Sequence, residues 1–344
     1  MPHLQTSRLN TFYRHHGPAT GEAVVFVHGN VSDSIFWEET MNALPENFQG
    51  IAPDMRGYGH SESTPIDATR GCRDWAEDVL ALMDQLEIDT FHAVGHSLGG
   101  SCLFTLHALA SERIKSLTFI CPGSPYGFGG TKGIEGTPTY EDFGGSGGGL
   151  ANPEFAKRLD AGDTTSDDPQ ASPRVVMNAF YWKPPFVPAR EEEYLQSMLR
   201  TKVGDQFYPA DAVPSANWPG VGPGQFGPLN MVSPKYQQDT VPNFLAAPNK
   251  PPVLWVRGSD DLIVSDRSFF DIATLGQMEL VPGYPGVDVM PSQPMIGQTR
   301  DVLEKYAASG GSYKEVVIAD TGHSPYIEKP EAFNSHFHAL LSGK

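Results

Sequence analysis

The 344-residue sequence predicts an α/β fold: a mostly parallel, doubly wound central sheet interrupted by a large, helical or irregular insertion. Three observations carry this expectation. Short continuous apolar runs alternate with amphipathic stretches at both ends of the chain, as expected for strands buried on both faces between helices. Most of these runs stop at turns rich in Gly, His or Asp. Between them, residues 124–250 lose the alternation, and Gly plus Pro rise to about a quarter of residues against about a sixth elsewhere.

Taken in order, residues 23–27 (AVVFV) form a strand that stops at His28-Gly29, and residues 34–44 form an amphipathic helix. Residues 48–53 lead into a glycine-punctuated turn, Asp54 to Gly59. Trp75, Val79, Leu82, Met83 and Leu86 recur at helical spacing within residues 72–86. A strand at 91–94 ends at Gly95, a helix spans 99–110, and a strand occupies 117–121. Inside the insertion, helices are expected at 152–159 and 189–199, where Glu191-Glu192-Glu193 near the N-terminus suits the helix dipole. Residues 127–149, with GGSGGG, read as mobile. So long a stretch without strand–helix alternation implies a separate lid rather than a loop. The expected division is therefore a core of 1–123 and 251–344 with a cap of 124–250. The alternation resumes with a strand at 253–257 (VLWVR), a helix near 267–275 and a Pro/Gly loop at 281–294. A helix at 297–308, a strand at 313–318 and a final helix from Pro330 complete the core.

Lys plus Arg number 24 and Asp plus Glu 41, a formal net charge of −17. That balance repels phosphate backbones and anionic lipid, so neither nucleic acid nor a membrane surface is an expected partner. The sequence has no apolar run of membrane-spanning length and no signal-peptide core in its first residues. Cys72, Cys102 and Cys121 are too few and too unpatterned for a disulfide scaffold or a zinc site, so a cytoplasmic setting without metal is expected.

The most informative segment is Val94-Gly95-His96-Ser97-Leu98-Gly99-Gly100, a G-x-S-x-G pattern directly after an apolar strand and opening a helix. Such a turn projects a serine hydroxyl above the sheet edge, and the glycines let neighbouring backbone pass close by. A serine hydroxyl is protonated at neutral pH and needs a base, which in turn needs an orienting group. Gly258-Ser259-Asp260-Asp261 follows strand VLWVR, and Thr321-Gly322-His323 follows the strand at 313–318. The order Ser97, acid, His323 is one of those that produce a Ser-His-Asp triad. Asp260, Asp261 and Asp266 all qualify as the acid by position. His28, His60 and His96 suit structural hydrogen bonding, and His96 is expected to point away from the serine. An oxyanion requires two N–H donors: the backbone of Leu98, after the nucleophile, and that of Asn30, after strand 23–27.

The segments VVFVHGN (24–30), DMRGYGHSE (54–62), VGHSLGG (94–100), RGSDD (257–261) and TGHSPYIEKP (321–330) together resemble the α/β-hydrolase superfamily, in its order and over most of the chain outside the insertion. The resemblance implies the α/β-hydrolase fold with a cap. It selects Asp261 over Asp260 as the acid, and it makes Asp54 and Arg56 braces of a turn. Epoxide hydrolases and haloalkane dehalogenases of this type carry an aspartate where Ser97 stands, which argues against both. The nearest type is a capped serine carboxylic-ester hydrolase, so the expected activity is cleavage of an ester or lactone of a small, fairly apolar molecule without a cofactor. Carbon–carbon, amide or perhydrolase chemistry on the same triad, or a ligand-binding receptor of the same fold, are the alternatives. Trp182, Phe186, Trp218 and Phe226 in the insertion are the expected substrate-contacting aromatics.

Overall fold

Eight strands form the central sheet: β1 (His3–Gln5), β2 (Asn10–His16), β3 (Glu22–Val27), β4 (Phe48–Pro53), β5 (Phe91–His96), β6 (Ile114–Ile120), β7 (Pro252–Gly258) and β8 (Ser312–Ile318). Their spatial order is β1-β2-β4-β3-β5-β6-β7-β8. The first two strands run antiparallel to their neighbours, and every pairing from β4 to β8 is parallel. The computed structural model describes residues 2–343; Met1 and Lys344, the outermost positions of the expected core, lie outside it.

The apolar runs are continuous because both faces are covered, and successive residues supply opposite faces. Val25 and Val27 join one core with Trp75 and Leu103, whereas Val24 and Phe26 join a second with Trp37 and Phe337. Helices α1 (Arg73–Gln85) and α2 (Leu98–Ala110) pack on the first face. On α1 the apolar stripe is Trp75, Val79 and Leu82, while Asp78 accepts two bonds from Arg56, at 2.6 and 2.7 Å. Helix α2 is apolar almost all round, as its central position requires.

The 124–250 segment contributes α3 (Pro153–Asp160), α4 (Pro173–Phe180), α5 (Glu191–Leu199) and α6 (Thr240–Ala246). Two short antiparallel ladders accompany them, Thr131–Lys132 with Thr137–Pro138 and Ala212–Pro214 with Val221–Pro223. Phe155, Met177, Tyr194 and Leu195 bury themselves in the same cluster as Trp37 and Phe36, so this segment and the sheet share a core. Helix α6 belongs to the other face, where Phe244 packs on Phe104 and stacks on Tyr306.

Two expectations change here. Part of the glycine-rich stretch 127–149, expected to be mobile, is packed, while residues 133–135 are exposed. Gly144 to Gly148 are buried, and a Cβ at Gly145, Gly147 or Gly148 would overlap Met290, Asn230 or Ala210 respectively. Its glycines serve close approach. The helix expected near 267–275 is confined to Ile272–Gln277, because the Asp271 carboxylate caps the Ala273 N–H at 3.1 Å and fixes the start there. The C-terminal part of the core adds α7 (Met295–Ala308) and α8 (Pro330–Leu341), the latter burying Phe333 and Phe337 on the second face. Among the described residues no helix is long and apolar enough to cross a membrane.

Candidate active site

Three loops leave the same edge of the sheet. Ser97 lies between β5 and α2 with φ +53° and ψ −120°, a conformation L-residues rarely adopt. The turn is so tight that a Cβ at Gly95 would sit 2.6 Å from the Gly99 carbonyl oxygen. A Cβ at Gly99 would overlap the Val27 carbonyl oxygen and lie 2.5 Å from that of His28. The Ser97 N–H donates to Ile120 O at 2.9 Å, which anchors the turn to β6. The Ser97 hydroxyl is buried and has no hydrogen-bond partner among the described residues.

His323, in the loop after β8, is 2% exposed, and Asp261, after β7, is 6% exposed. The imidazole Nδ1 lies 2.8 Å from Asp261 Oδ2. A carboxylate only accepts, so Nδ1 carries the proton and Nε2 is left as the basic nitrogen. The other Asp261 oxygen, Oδ1, accepts the N–H groups of Ile263 at 2.8 Å and Val264 at 3.0 Å. Neither rival acid reaches the imidazole. Asp260 is 39% exposed at its side chain and binds Ser259 and, at 2.9 Å, Lys183; these contacts hold its carboxyl below the usual range. Asp266 caps the start of α7, accepting from Ile296 and Gly297.

The Glu328 carboxylate accepts the Gly322 N–H at 2.7 Å and the Lys183 N–H at 2.8 Å, so it ties the histidine loop to the cap; burial pushes its carboxyl above the usual range. His96 does not point away, as expected from its place before the serine. Its ring centre is 4.7 Å from that of His323, it borders the cavity above Ser97, and its Nε2–H donates to the His323 carbonyl at 2.8 Å. Burial, and then the neighbouring His323, depress its basicity strongly, so it stays neutral and braces the loop. A histidine in that variable position carries no sequence pattern that reveals this contact.

His28 accepts the Met55 N–H through Nε2 at 2.9 Å and donates through Nδ1 to Gly29 O at 2.8 Å; burial lowers its pKa to about 4. Asp54 accepts Ser34 N–H and His60 N–H, at 2.9 and 2.8 Å, and braces the Asn30 loop from beneath. Cys121 Sγ and donor atoms of Asp261 and His323 lie within 4.8 Å of one another, the one such trio among the described residues. Burial, and then the charge of Asp261, push the Cys121 thiol well up, and Asp261 is already spent on the imidazole and two amides.

Above Ser97 opens a mainly apolar cavity of about 580 Å³, with Asn30, Leu98, His96 and His323 in its floor. Neither the Asn30 nor the Leu98 backbone N–H has a partner among the described residues. The walls differ from expectation. Phe128, Phe155, Phe180, Tyr181, Tyr208 and Phe270 line the cavity, whereas Trp182, Phe186, Trp218 and Phe226 do not. Trp182 is buried in the cap core, with its Nε1–H on Asn178 Oδ1 at 3.0 Å and its ring edge-on to Phe186. Trp218 donates to Pro282 O at 2.8 Å beside Tyr284, and Phe226 bridges to Asp67. Neighbouring aromatics at the end of α4 face opposite ways, and spacing alone does not say which one faces the serine.

A family model described as alpha/beta hydrolase fold matches residues 22–136, which include the Asn30 loop and the Ser97 turn. Over that stretch the chain is similar to the α/β-hydrolase family, and over its whole length it has the α/β-hydrolase fold. The enol-lactonase from Burkholderia xenovorans LB400 superposes on this chain with a TM-score of 0.60 over 99% of this chain and 100% of that one, at 18% identity. "Probable lysophospholipase BODYGUARD 1" of Arabidopsis thaliana is 36% identical over 146 residues, 39% of this chain and 30% of that protein. An epoxide hydrolase of Caballeronia sordidicola is 36% identical over 105 residues, 28% of this chain and 30% of that protein. The matched stretch thus spans less than a third of either curated relative.

Proposed function

We propose that this α/β hydrolase cleaves a carboxylic ester or lactone of a small, fairly apolar molecule through an acyl-enzyme formed on Ser97. The observation that carries the reading is the buried His323–Asp261 pair, 2.8 Å apart, whose His323 borders the same cavity as Ser97, a serine whose hydroxyl has no hydrogen-bond partner among the described residues. Hydrogen bonds between base and nucleophile commonly tighten only when substrate is bound.

In the reaction, His323 Nε2 takes the proton of Ser97 as its oxygen attacks the carbonyl carbon. The carbonyl oxygen becomes an anion held by the backbone N–H groups of Asn30 and Leu98. The imidazolium, stabilised by Asp261, then protonates the departing alkoxide, and the acyl group stays on Ser97. Water, deprotonated by His323, attacks the ester and releases the acid. A serine at the nucleophile position supports acyl transfer over the epoxide opening of the Caballeronia relative, because members of that type use an aspartate there. A cavity of 580 Å³ falls within the size of small-molecule sites, and its apolar walls favour an uncharged acyl or aryl group.

Turnover of p-nitrophenyl esters tests the proposal. Ser97→Ala is expected to lose activity by a factor on the order of 10⁴ or more, and a fluorophosphonate is expected to label Ser97. Full retention of activity in Ser97→Ala, or label on another residue, refutes it.

A further inference from the structure

The loop proposed to hold the oxyanion is clamped from the cap. The Tyr181 hydroxyl, just past α4, donates to Asn30 O at 3.2 Å and to Val31 O at 3.0 Å. Burial pushes this phenol far above its usual range, so it remains a donor. On the opposite side, the Tyr58 hydroxyl donates to Asn30 Oδ1 at 2.6 Å. Asn30 is thus held at its side chain and its carbonyl, while its N–H is left without a partner among the described residues. The next residue needs that restraint. Val31 has φ +47°, an outlier for a β-branched side chain, which persists only where the surroundings impose it. A third tie comes from Arg200, at the end of α5, whose guanidinium binds Asp33 Oδ2 at 2.9 and 2.6 Å.

We infer that Tyr181 is a positioning residue through which the cap completes the oxyanion site, by holding the Asn30–Val31 and Val31–Ser32 peptides in a strained conformation that aims the Asn30 N–H into the cavity. The inference rests on the reading of Asn30 as an oxyanion donor. Without the hydroxyl, two buried carbonyls lose their donor and Val31 can relax to negative φ, which turns the Asn30 amide away. The ground-state carbonyl gains little from that amide and the tetrahedral anion gains much, so the loss falls on kcat rather than KM.

Tyr181→Phe keeps the ring against Phe36 and Trp182 and removes one oxygen. With a p-nitrophenyl ester, its kcat is expected to fall between about tenfold and a hundredfold with KM within twofold. Inhibition by an aryl trifluoromethyl ketone, which adds to the serine and places an oxyanion in the hole, is expected to weaken by the same factor as kcat/KM. Placing p-aminophenylalanine at position 181 restores a donor and is expected to recover most of both losses; it also controls for a Phe variant that folds poorly. Unchanged kcat and inhibition, a raised KM at constant kcat, or no recovery with the amine each overturn the inference. Ser97→Ala measured alongside separates the two levels. Activity surviving in Ser97→Ala sinks the serine mechanism itself, whereas an inactive Ser97→Ala beside an unimpaired Tyr181→Phe sinks only the role of Tyr181.

Discussion

Replacing Asp261 by Asn tests the relay most sharply, because the surroundings dictate how the amide must sit. Asp261 Oδ1 accepts two backbone N–H groups, at 2.8 and 3.0 Å, and only an oxygen can do so. The Asn oxygen therefore takes that place, and its NH₂ takes the place of Oδ2, 2.8 Å from His323 Nδ1. An NH₂ donates, so Nδ1 must become the acceptor and the ring proton moves to Nε2. The nitrogen that should receive the Ser97 proton then already carries one. Tautomer inversion of this kind lowers kcat by about 10⁴, equivalent to roughly 5.5 kcal/mol in the barrier. The assay is ester turnover at saturating substrate, with Asp260→Asn as control, since Asp260 only ties Ser259 and Lys183 at the surface. The expected result is a loss of about 10⁴ in kcat for Asp261→Asn, little change in KM, and a control within twofold of the parent. An Asp261→Asn enzyme within tenfold of the parent, or an equal loss in the control, refutes the assignment.

Two further substitutions probe the scaffold. Gly99→Ala drives a Cβ into the backbone carbonyls of Val27 and His28, neither of which can yield without moving the end of β3; a stability loss of about 3 kcal/mol is expected in urea unfolding, together with loss of activity. A Gly99→Ala protein that unfolds at the parental urea midpoint contradicts the packing described. His107 is buried, touches Asn249 O at 2.9 Å, and has its pKa lowered to about 4, mainly by burial. The unfolded chain takes up a proton near pH 6.5 and the native one does so only near pH 4, so its contribution is intact above pH 6.5. It declines on acidification through that window by about 1.4 kcal/mol per pH unit. His107→Gln removes this dependence, so the stability difference between parent and variant should shift by about 2 kcal/mol between pH 7 and pH 5; a difference constant with pH would refute it.

What could be read without coordinates follows from where the chemistry lies along the chain. Ser97 and Asp261 each follow a continuous apolar run that reads as a buried strand, His323 follows the edge strand β8 with only Val316 and Ile318 buried, and parallel strands bring their following loops to one edge. What escaped reading lacks such a run. Strand β2, NTFYRHH, is an edge-side antiparallel strand with only Thr11, Phe12 and Tyr13 buried, so neither continuity nor strict alternation marks it. Helix α4 begins at Ser172-Pro173, a start signal that was available, but its Val176 and Met177 make a stripe only two residues wide. Within 127–149, glycine content alone does not distinguish a free chain from one pressed against Met290, Asn230 and Ala210, as Gly145, Gly147 and Gly148 are. His96 and Tyr181 escaped because their roles consist of contacts to backbone atoms remote in sequence.

The strain in this molecule is placed where those roles require it. Val31, Ser97 and Cys121 have φ of +47°, +53° and +43°; Ser97 and Cys121 directly follow β5 and β6, and Val31 lies in the loop after β3. Strands that ran on into relaxed loops would carry their amides and hydroxyl outward past the sheet edge. A positive φ turns the backbone back, and Asn30 and Ser97 border one cavity. Such conformations cost on the order of 1–3 kcal/mol each and persist only under external restraint. The restraints are different in kind. Ser97 is held within the core, by its N–H on Ile120 O and by the close approach of Gly95 and Gly99. Cys121 is likewise tied to the sheet, through its N–H on Val256 O at 2.9 Å. The Val31 carbonyl instead accepts from Tyr181, a residue of the 124–250 segment. If Tyr181 positions the proposed oxyanion loop as inferred, withdrawing it would release that loop while leaving the nucleophile turn intact, and the placement of the 124–250 segment would then condition catalysis as well as access.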